Sequence, residues 1–134
     1  MTSESDVLEL GPGQGRAYSM GRMRAVFKVD HDESGSRYAL SEWWLQPHCT
    51  GPGAHLHEAN EELFYVLEGT ACILVGDTWR TLSKGSFLRI PAGTMHDFEN
   101  RTDVPVGLLN IFMPGGFEQF MPSIVKWFED NPQG

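Results

Sequence analysis

The 134-residue sequence predicts one all-β domain, a sandwich or barrel, on three observations. Short apolar runs recur about every eight to twelve residues with Gly, Pro or Asp between them, the spacing of many short strands. Apolar residues make up 40% of the chain and aromatics 11%, enough for a real core at this length. A helical period appears only near the C-terminus.

Taken in order, residues 1–20 carry Ser, Gly and Pro (Gly11-Pro12-Gly13-Gln14-Gly15) and read as an N-terminal arm, partly extended. Residues 25–29 form a short strand candidate, and 32–36 a polar loop. Residues 38–46 follow as a strand with apolar residues on both parities, so it is placed between two layers. A Pro/Gly loop over 47–53 leads into His55 and His57. His48 within it reads as an exposed loop residue, because nothing fixes its direction. Residues 63–67 read as a strand buried on both faces, ending in the turn signal Glu68-Gly69. Residues 70–75 return as a hairpin arm, and Gly76-Asp77 turns into 78–82. Ser83-Lys84-Gly85 precedes a strand over 87–90, and 104–113 is the last apolar strand.

Beyond that strand the period changes. Phe117, Phe120, Met121, Ile124, Val125 and Phe128 fall on one helical face. Pro122 breaks this helix or sits in the first turn of a second one, where Pro is tolerated. The stripe reads as packing against the barrel or a second subunit. The expected organisation is an arm over 1–20, a barrel over 21–116 and a C-terminal helical segment over 117–134. Four Trp, strands with apolar residues on both faces and this helix also predict self-association, most simply a homodimer.

Charge narrows the partners. The formal net charge is -8 and no basic block occurs, which argues against nucleic acid and against an anionic membrane surface. No strictly apolar run exceeds five residues (63–67 is one), far short of a membrane span. The start, Met-Thr-Ser-Glu-Ser-Asp, is polar and acidic, the opposite of a secretory signal. Cys49 and Cys72 are too few for a disulfide framework, and Cys72 reads as a small buried hydrophobe. A cytoplasmic location is expected.

The chemistry gathers around Ala54-His-Leu-His-Glu-Ala-Asn-Glu-Glu-Leu-Phe-Tyr. In an extended segment His55 and His57 point to one side, as two ligands of one metal ion must. Downstream, His96 stands on a turn framed by Pro91 and Gly93. Imidazole and carboxylate are the usual ligands of divalent first-row metals, so three histidines and a nearby acid favour a metal site over a chance surface pair. Strand parity leaves both Glu61 and Glu62 open as the acid.

Two motifs now resemble a known family. His55-x-His57, four residues, Glu62, six residues and Gly69 make one. Gly85, five residues, Pro91-x-Gly93, two residues, His96, three residues and Asn100 make the other. In this order they resemble the cupin superfamily, whose members are small β-barrels that hold a divalent metal with three histidines and a glutamate. One departure exists: the Gly that usually opens the first motif is Cys49 here, with Gly51 and Gly53 close by. The resemblance implies a cupin-type double-stranded β-helix, or jelly-roll barrel, with a short C-terminal helix. It implies His55, His57, Glu62 and His96 as ligands of a divalent transition metal (iron, nickel, manganese, cobalt, zinc or copper). Gly85, Pro91, Gly93 and Asn100 become structural. Family spacing favours Glu62 over Glu61, and Glu62 shares its parity with Phe64 and Val66.

The run Pro114-Gly-Gly-Phe117-Glu118, after the last long strand, looks like that of small single-domain cupins related to quercetin 2,3-dioxygenase. That resemblance implies a metal-dependent dioxygenase acting on an aromatic or enolic small molecule, with Glu62 also able to take a proton from a bound hydroxyl. Phe64, Val66 and Phe98 are the expected substrate pocket, since Phe98 shares parity with His96. The alternatives are a metal-dependent isomerase or cyclase, or a non-catalytic cupin that binds a metal or small molecule.

Overall fold

The computed structural model describes residues 7–132, so the first six residues of the predicted arm and the last two of the chain lie outside the described residues. Nine strands carry the fold: β1 (Arg16–Met20), β2 (Met23–Val29), β3 (Ala39–Leu45), β4 (Glu61–Glu68), β5 (Thr70–Val75), β6 (Thr78–Ser83), β7 (Phe87–Ile90), β8 (His96–Glu99) and β9 (Val106–Met113). Two helices, α1 (His31–Ser34) and α2 (Met121–Asp130), and a 3-10 turn over Phe117–Phe120 complete it.

The strands form two antiparallel sheets, ordered β1-β2-β3-β9-β4-β7 and β6-β5-β8. Side chains from both meet in one core, with Phe27, Trp43, Phe64 and Val66 from the larger sheet against Ala71, Ile73 and Phe98 from the smaller. This is an open jelly roll of the expected class. Burying an aromatic or aliphatic side chain of this size stabilises by roughly 1.5–3 kcal/mol, so the shared core is what holds the sheets together.

Local chemistry explains most boundaries. β3 alternates strictly, with Ala39, Ser41, Trp43 and Leu45 buried and the intervening residues half-buried. β4 does the same on its inner face, where Glu62, Phe64 and Val66 are buried. Its outer face departs from the reading of a strand buried on both sides: Tyr65 is 43% exposed. No second layer covers that face within the described residues, and apolar composition alone does not reveal this.

The stretch read as a polar loop over 32–36 overlaps α1, which is followed by the left-handed residues Gly35 and Ser36. β1 lies in the stretch read as an arm and pairs along its whole length with β2. At the other end, Pro122 sits in the first turn of α2, where its missing N–H costs nothing. Met121 and Phe128 of α2 are buried in the common core. Cys49 and Cys72 are both buried and free. Among the described residues, no helix is long and apolar enough to cross a membrane.

Candidate metal centre

Each candidate ligand is brought in by a different device. Glu62 stands second in β4, opposite Phe112 of β9 and Ile90 of β7, so both neighbouring strands fix its backbone. His96 opens β8. His55 lies outside any regular strand, yet its N–H donates to His96 O at 2.9 Å and its carbonyl accepts from His96 N at 2.8 Å. This single closed bridge ties the loop before β4 to the start of β8. His57 is anchored through its carbonyl, which accepts the Gly93 N–H at 2.9 Å. The histidine pair is therefore held by cross-loop bonds in place of an extended strand.

The loop ahead of the pair depends on close backbone approach. A Cβ at Gly51 would run into the carbonyl oxygen of Phe98, so only glycine fits there. Asp97, itself buried, accepts from the N–H of Gly53 at 3.1 Å and of Phe98 at 2.8 Å. Cys49, where the family places glycine, forms an isolated antiparallel bridge with Asn100. Buried Asn100 donates to the carbonyls of Gln46 and Val104, closing the base of the same loop.

The donor atoms of His55, His57, Glu62 and His96 all lie within 4.8 Å of one another. Two opposed metal–ligand bonds of about 2.1–2.2 Å span about 4.3 Å, so small side-chain movements suffice for one ion. Tautomers can be assigned from chemistry. His55 Nδ1 lies 2.6 Å from Gly53 O and His96 Nδ1 lies 2.9 Å from Thr94 O. A carbonyl only accepts, so both Nδ1 atoms carry a proton and both Nε2 atoms are left as the ones able to bind a cation.

The strongest sign of a cation site is buried in the centre. Glu62 Oε2 and His96 Nε2 are 2.5 Å apart. Both are fully buried, and neither has a partner in hydrogen-bond geometry. Without a metal, so close an N···O contact needs a proton between the two atoms, and a divalent cation could take that proton's place and satisfy both. His57 Nε2 is 3.8 Å from the same oxygen. The residues present fit a metal ion.

Protonation without metal follows from burial against charge. Burial disfavours the imidazolium of His96, but the Glu62 carboxylate beside it outweighs this and its pKa lies above the usual histidine value. Burial dominates at His57, which is held below that value even though Glu62 acts in the opposite sense. Glu62 is pushed upward by burial, yet His96, His57 and Asn110 hold it below the ordinary carboxylate range.

Of the predicted pocket residues, Phe64 and Phe98 line a small inner cavity of about 40 Å³ beside His55, His57 and Glu62. Val66 does not line it; it is 1% exposed and lies deeper in the core. Glu61 points away from Glu62 and pairs with Arg89 Nε at 2.6 Å. His48 is exposed and pairs with Asp103.

Two features escaped sequence reasoning. Asn110 of β9 is buried and donates its side-chain amide to Glu62 Oε1 at 3.0 Å. Its signal was a lone amide within an apolar strand. The second is the C-terminal segment: the Phe117 ring lies 5.7 Å from His57 and 5.1 Å from Phe112.

Comparison with known proteins agrees with this geometry. The family model described as the cupin domain matches residues 41–112. A mannose-1-phosphate guanylyltransferase of Salmonella muenchen is 35% identical over 86 residues, covering 63% of this chain and 17% of that protein. Quercetin 2,3-dioxygenase of Bacillus subtilis is 31% identical over 77 residues, covering 58% of this chain and 23% of that protein. The chain thus corresponds to less than a quarter of either relative. Among solved structures, a predicted oxalate decarboxylase from Thermotoga maritima superposes with a TM-score of 0.70 at 17% identity, over 81% of this chain and 98% of that one. An RmlC-like cupin from Shewanella frigidimarina gives 0.68 at 17%, over 82% and 93%. With two sheets in jelly-roll order, a three-histidine and glutamate cluster between its loops, and a family match over more than half its length, the chain belongs to the cupin superfamily.

Proposed function

We propose that this cupin is a metal-dependent dioxygenase acting on an aromatic or enolic small molecule, with His55, His57, Glu62 and His96 as the metal ligands. The observation that carries the reading is the buried Glu62 Oε2, 2.5 Å from His96 Nε2 and 3.8 Å from His57 Nε2, in a cluster with His55 and with aromatic rings around it. A divalent transition metal with more than four coordination positions would supply Lewis acidity and redox chemistry there. The three histidines hold it in their neutral form. Glu62 would also serve as the base: once loosened from the metal, its Oε2 would take the proton of a substrate hydroxyl while Asn110 keeps Oε1 fixed. Trp43, Phe64 and Phe98 keep bulk water from the inner side.

The test is oxygen uptake by protein loaded in turn with iron, nickel, manganese, cobalt, copper or zinc, across a panel of flavonols, catechols and enolic diketones. Uptake that needs both substrate and metal, and that is lost in Glu62→Gln, is the expected result. Turnover of the same panel without oxygen consumption would instead establish the isomerase or cyclase reading, which uses the same proton-carrying carboxylate. Metal binding with no turnover at all would leave a binding cupin.

The uncovered outer face of β4, β7 and β9, with Leu63, Tyr65, Phe87, Leu109 and Ile111, supports a homodimer. Two buried free cysteines suit a reducing compartment, and the cytoplasm is the proposed location.

A further inference from the structure

The barrel interior behind the histidines is nearly full. The inner cavity of about 40 Å³ is the size of one water or a diatomic molecule, and Trp43, Phe64 and Phe98 close it. An aromatic ring has no room there; only a substituent the size of a hydroxyl fits beside Glu62. Adjoining this inner cavity, and sharing Pro52, His55, His57, Phe117 and Ile124 with it, lies a second cavity of about 310 Å³, which Trp127 and Phe128 also wall. That volume is at the lower end of the roughly 300–1,000 Å³ of small-molecule sites. No lysine or arginine lines it among the described residues, so an anionic substituent would find no side-chain counter-charge.

The outer wall comes from the C-terminal segment, and the fold holds that segment firmly. The Asp30 carboxylate accepts the backbone N–H groups of Gly116 and Glu118, each at 2.6 Å. Glu118 in turn accepts from Arg16 Nε at 2.7 Å and from the Tyr18 hydroxyl at 2.6 Å. Phe117 is thereby stacked on Phe27 with its ring planes 19° apart. Trp127 is different. It is 53% exposed, touches Phe128 edge-on, and turns toward a cavity that its neighbours leave open. A large aromatic ring left half in solvent beside a metal-ligand cluster gains most by stacking on a flat ligand.

We propose that Trp127, with Ile124 and Phe117, is the specificity-determining wall of this protein, and that it selects a flat one- or two-ring aromatic ligand seated outside the barrel over His55 and His57. This rests on the metal-centre reading of those histidines. It does not depend on the reaction being an oxygenation.

The test uses two metal chelators as probes on the metal-loaded full chain. One is 4-nitrocatechol, flat and aromatic; the other is oxalate, which has no ring. Binding is read by the absorbance of 4-nitrocatechol and by its displacement with oxalate, together with metal content per chain. Trp127→Ala should weaken 4-nitrocatechol by roughly fivefold or more, the order expected for an aromatic contact, and leave oxalate and metal content unchanged. Trp127→Phe should restore most of the affinity, which a merely structural defect would not allow. Trp79→Ala, far away on β6 under Arg101, should change nothing. Equal weakening of both probes, no change for either, or no binding of 4-nitrocatechol to metal-loaded wild type would overturn the proposal. Binding that depends on Trp127 without oxygen uptake would uphold it and reject the dioxygenase reading alone. A wild type that takes up no transition metal would overturn both.

Discussion

The Asn110 amide donates to Glu62 Oε1 at 3.0 Å from across the β4–β9 ladder, leaving Oε2 as the oxygen that faces His96 and His57. One carboxylate oxygen is thus held and the other is presented. An acid so placed can bind a cation without rotating away, and it needs no water to satisfy its second oxygen.

Asn110→Leu keeps the shape of the side chain and removes its donor. A hydrogen-bond partner behind a metal ligand is worth roughly 10–100-fold in metal affinity, and a buried carboxylate oxygen left unsatisfied costs about 1–3 kcal/mol. Metal titration of the variant should therefore show a drop of at least tenfold, and its Tm without metal should fall. Unchanged metal affinity would mean that Glu62 is oriented by the ladder alone.

The response to pH follows from the directions at the two buried histidines. His96 lies above 6.5 and His57 below it when no metal is present. Metal requires neutral imidazole, so protons compete first at His96. Affinity should begin to fall while the pH is still above 6.5 and continue down to about pH 5. The rise in Tm that metal confers should shrink over the same window, because only the deprotonated ligand set binds it. A metal-induced rise that is constant from about pH 8 to about pH 5 would contradict the histidine assignment.

Gly51 and Gly53 separate two kinds of glycine requirement. At Gly51 an added Cβ meets the backbone of Phe98, two residues from His96, and backbone cannot move aside cheaply. Gly51→Ala should cost roughly 3 kcal/mol or more and displace His96 with it. Gly53 has φ +95 with open space around it, so Gly53→Ala should cost only about 1–2 kcal/mol of backbone strain. Thermal melts of the two variants check the order, and equal losses would contradict it.

Much of the fold and the site was legible in the sequence because spacing and parity are geometric. The two motifs hold the four side chains that the structure brings within 4.8 Å of one another, and the alternation of Glu62, Phe64 and Val66 gave the inner face of β4. The outer face was misread because Leu63, Tyr65 and Leu67 are apolar too, and composition does not say whether a layer covers them. Asn110 was not legible because its role depends on which strand lies beside β4, a long-range pairing. The stripe from Phe117 to Phe128 predicted a packed helical face, of which Met121 and Phe128 are buried while Phe120 is exposed; Trp127 falls off that stripe, and only the path of the chain places it on the wall of the cavity beside the histidines.

Metal content per chain, measured on wild type, Glu62→Ala and Glu61→Ala purified without chelator and then offered a divalent transition metal, decides whether the three histidines and Glu62 form one metal centre. One ion per chain in wild type and in Glu61→Ala, with little or none in Glu62→Ala, is the outcome expected. Glu61 is occupied with Arg89 on the opposite face of β4 and has no access to the cluster. Equal metal content in the two variants, or none in the wild type, would contradict the assignment of His55, His57, Glu62 and His96 as one metal centre.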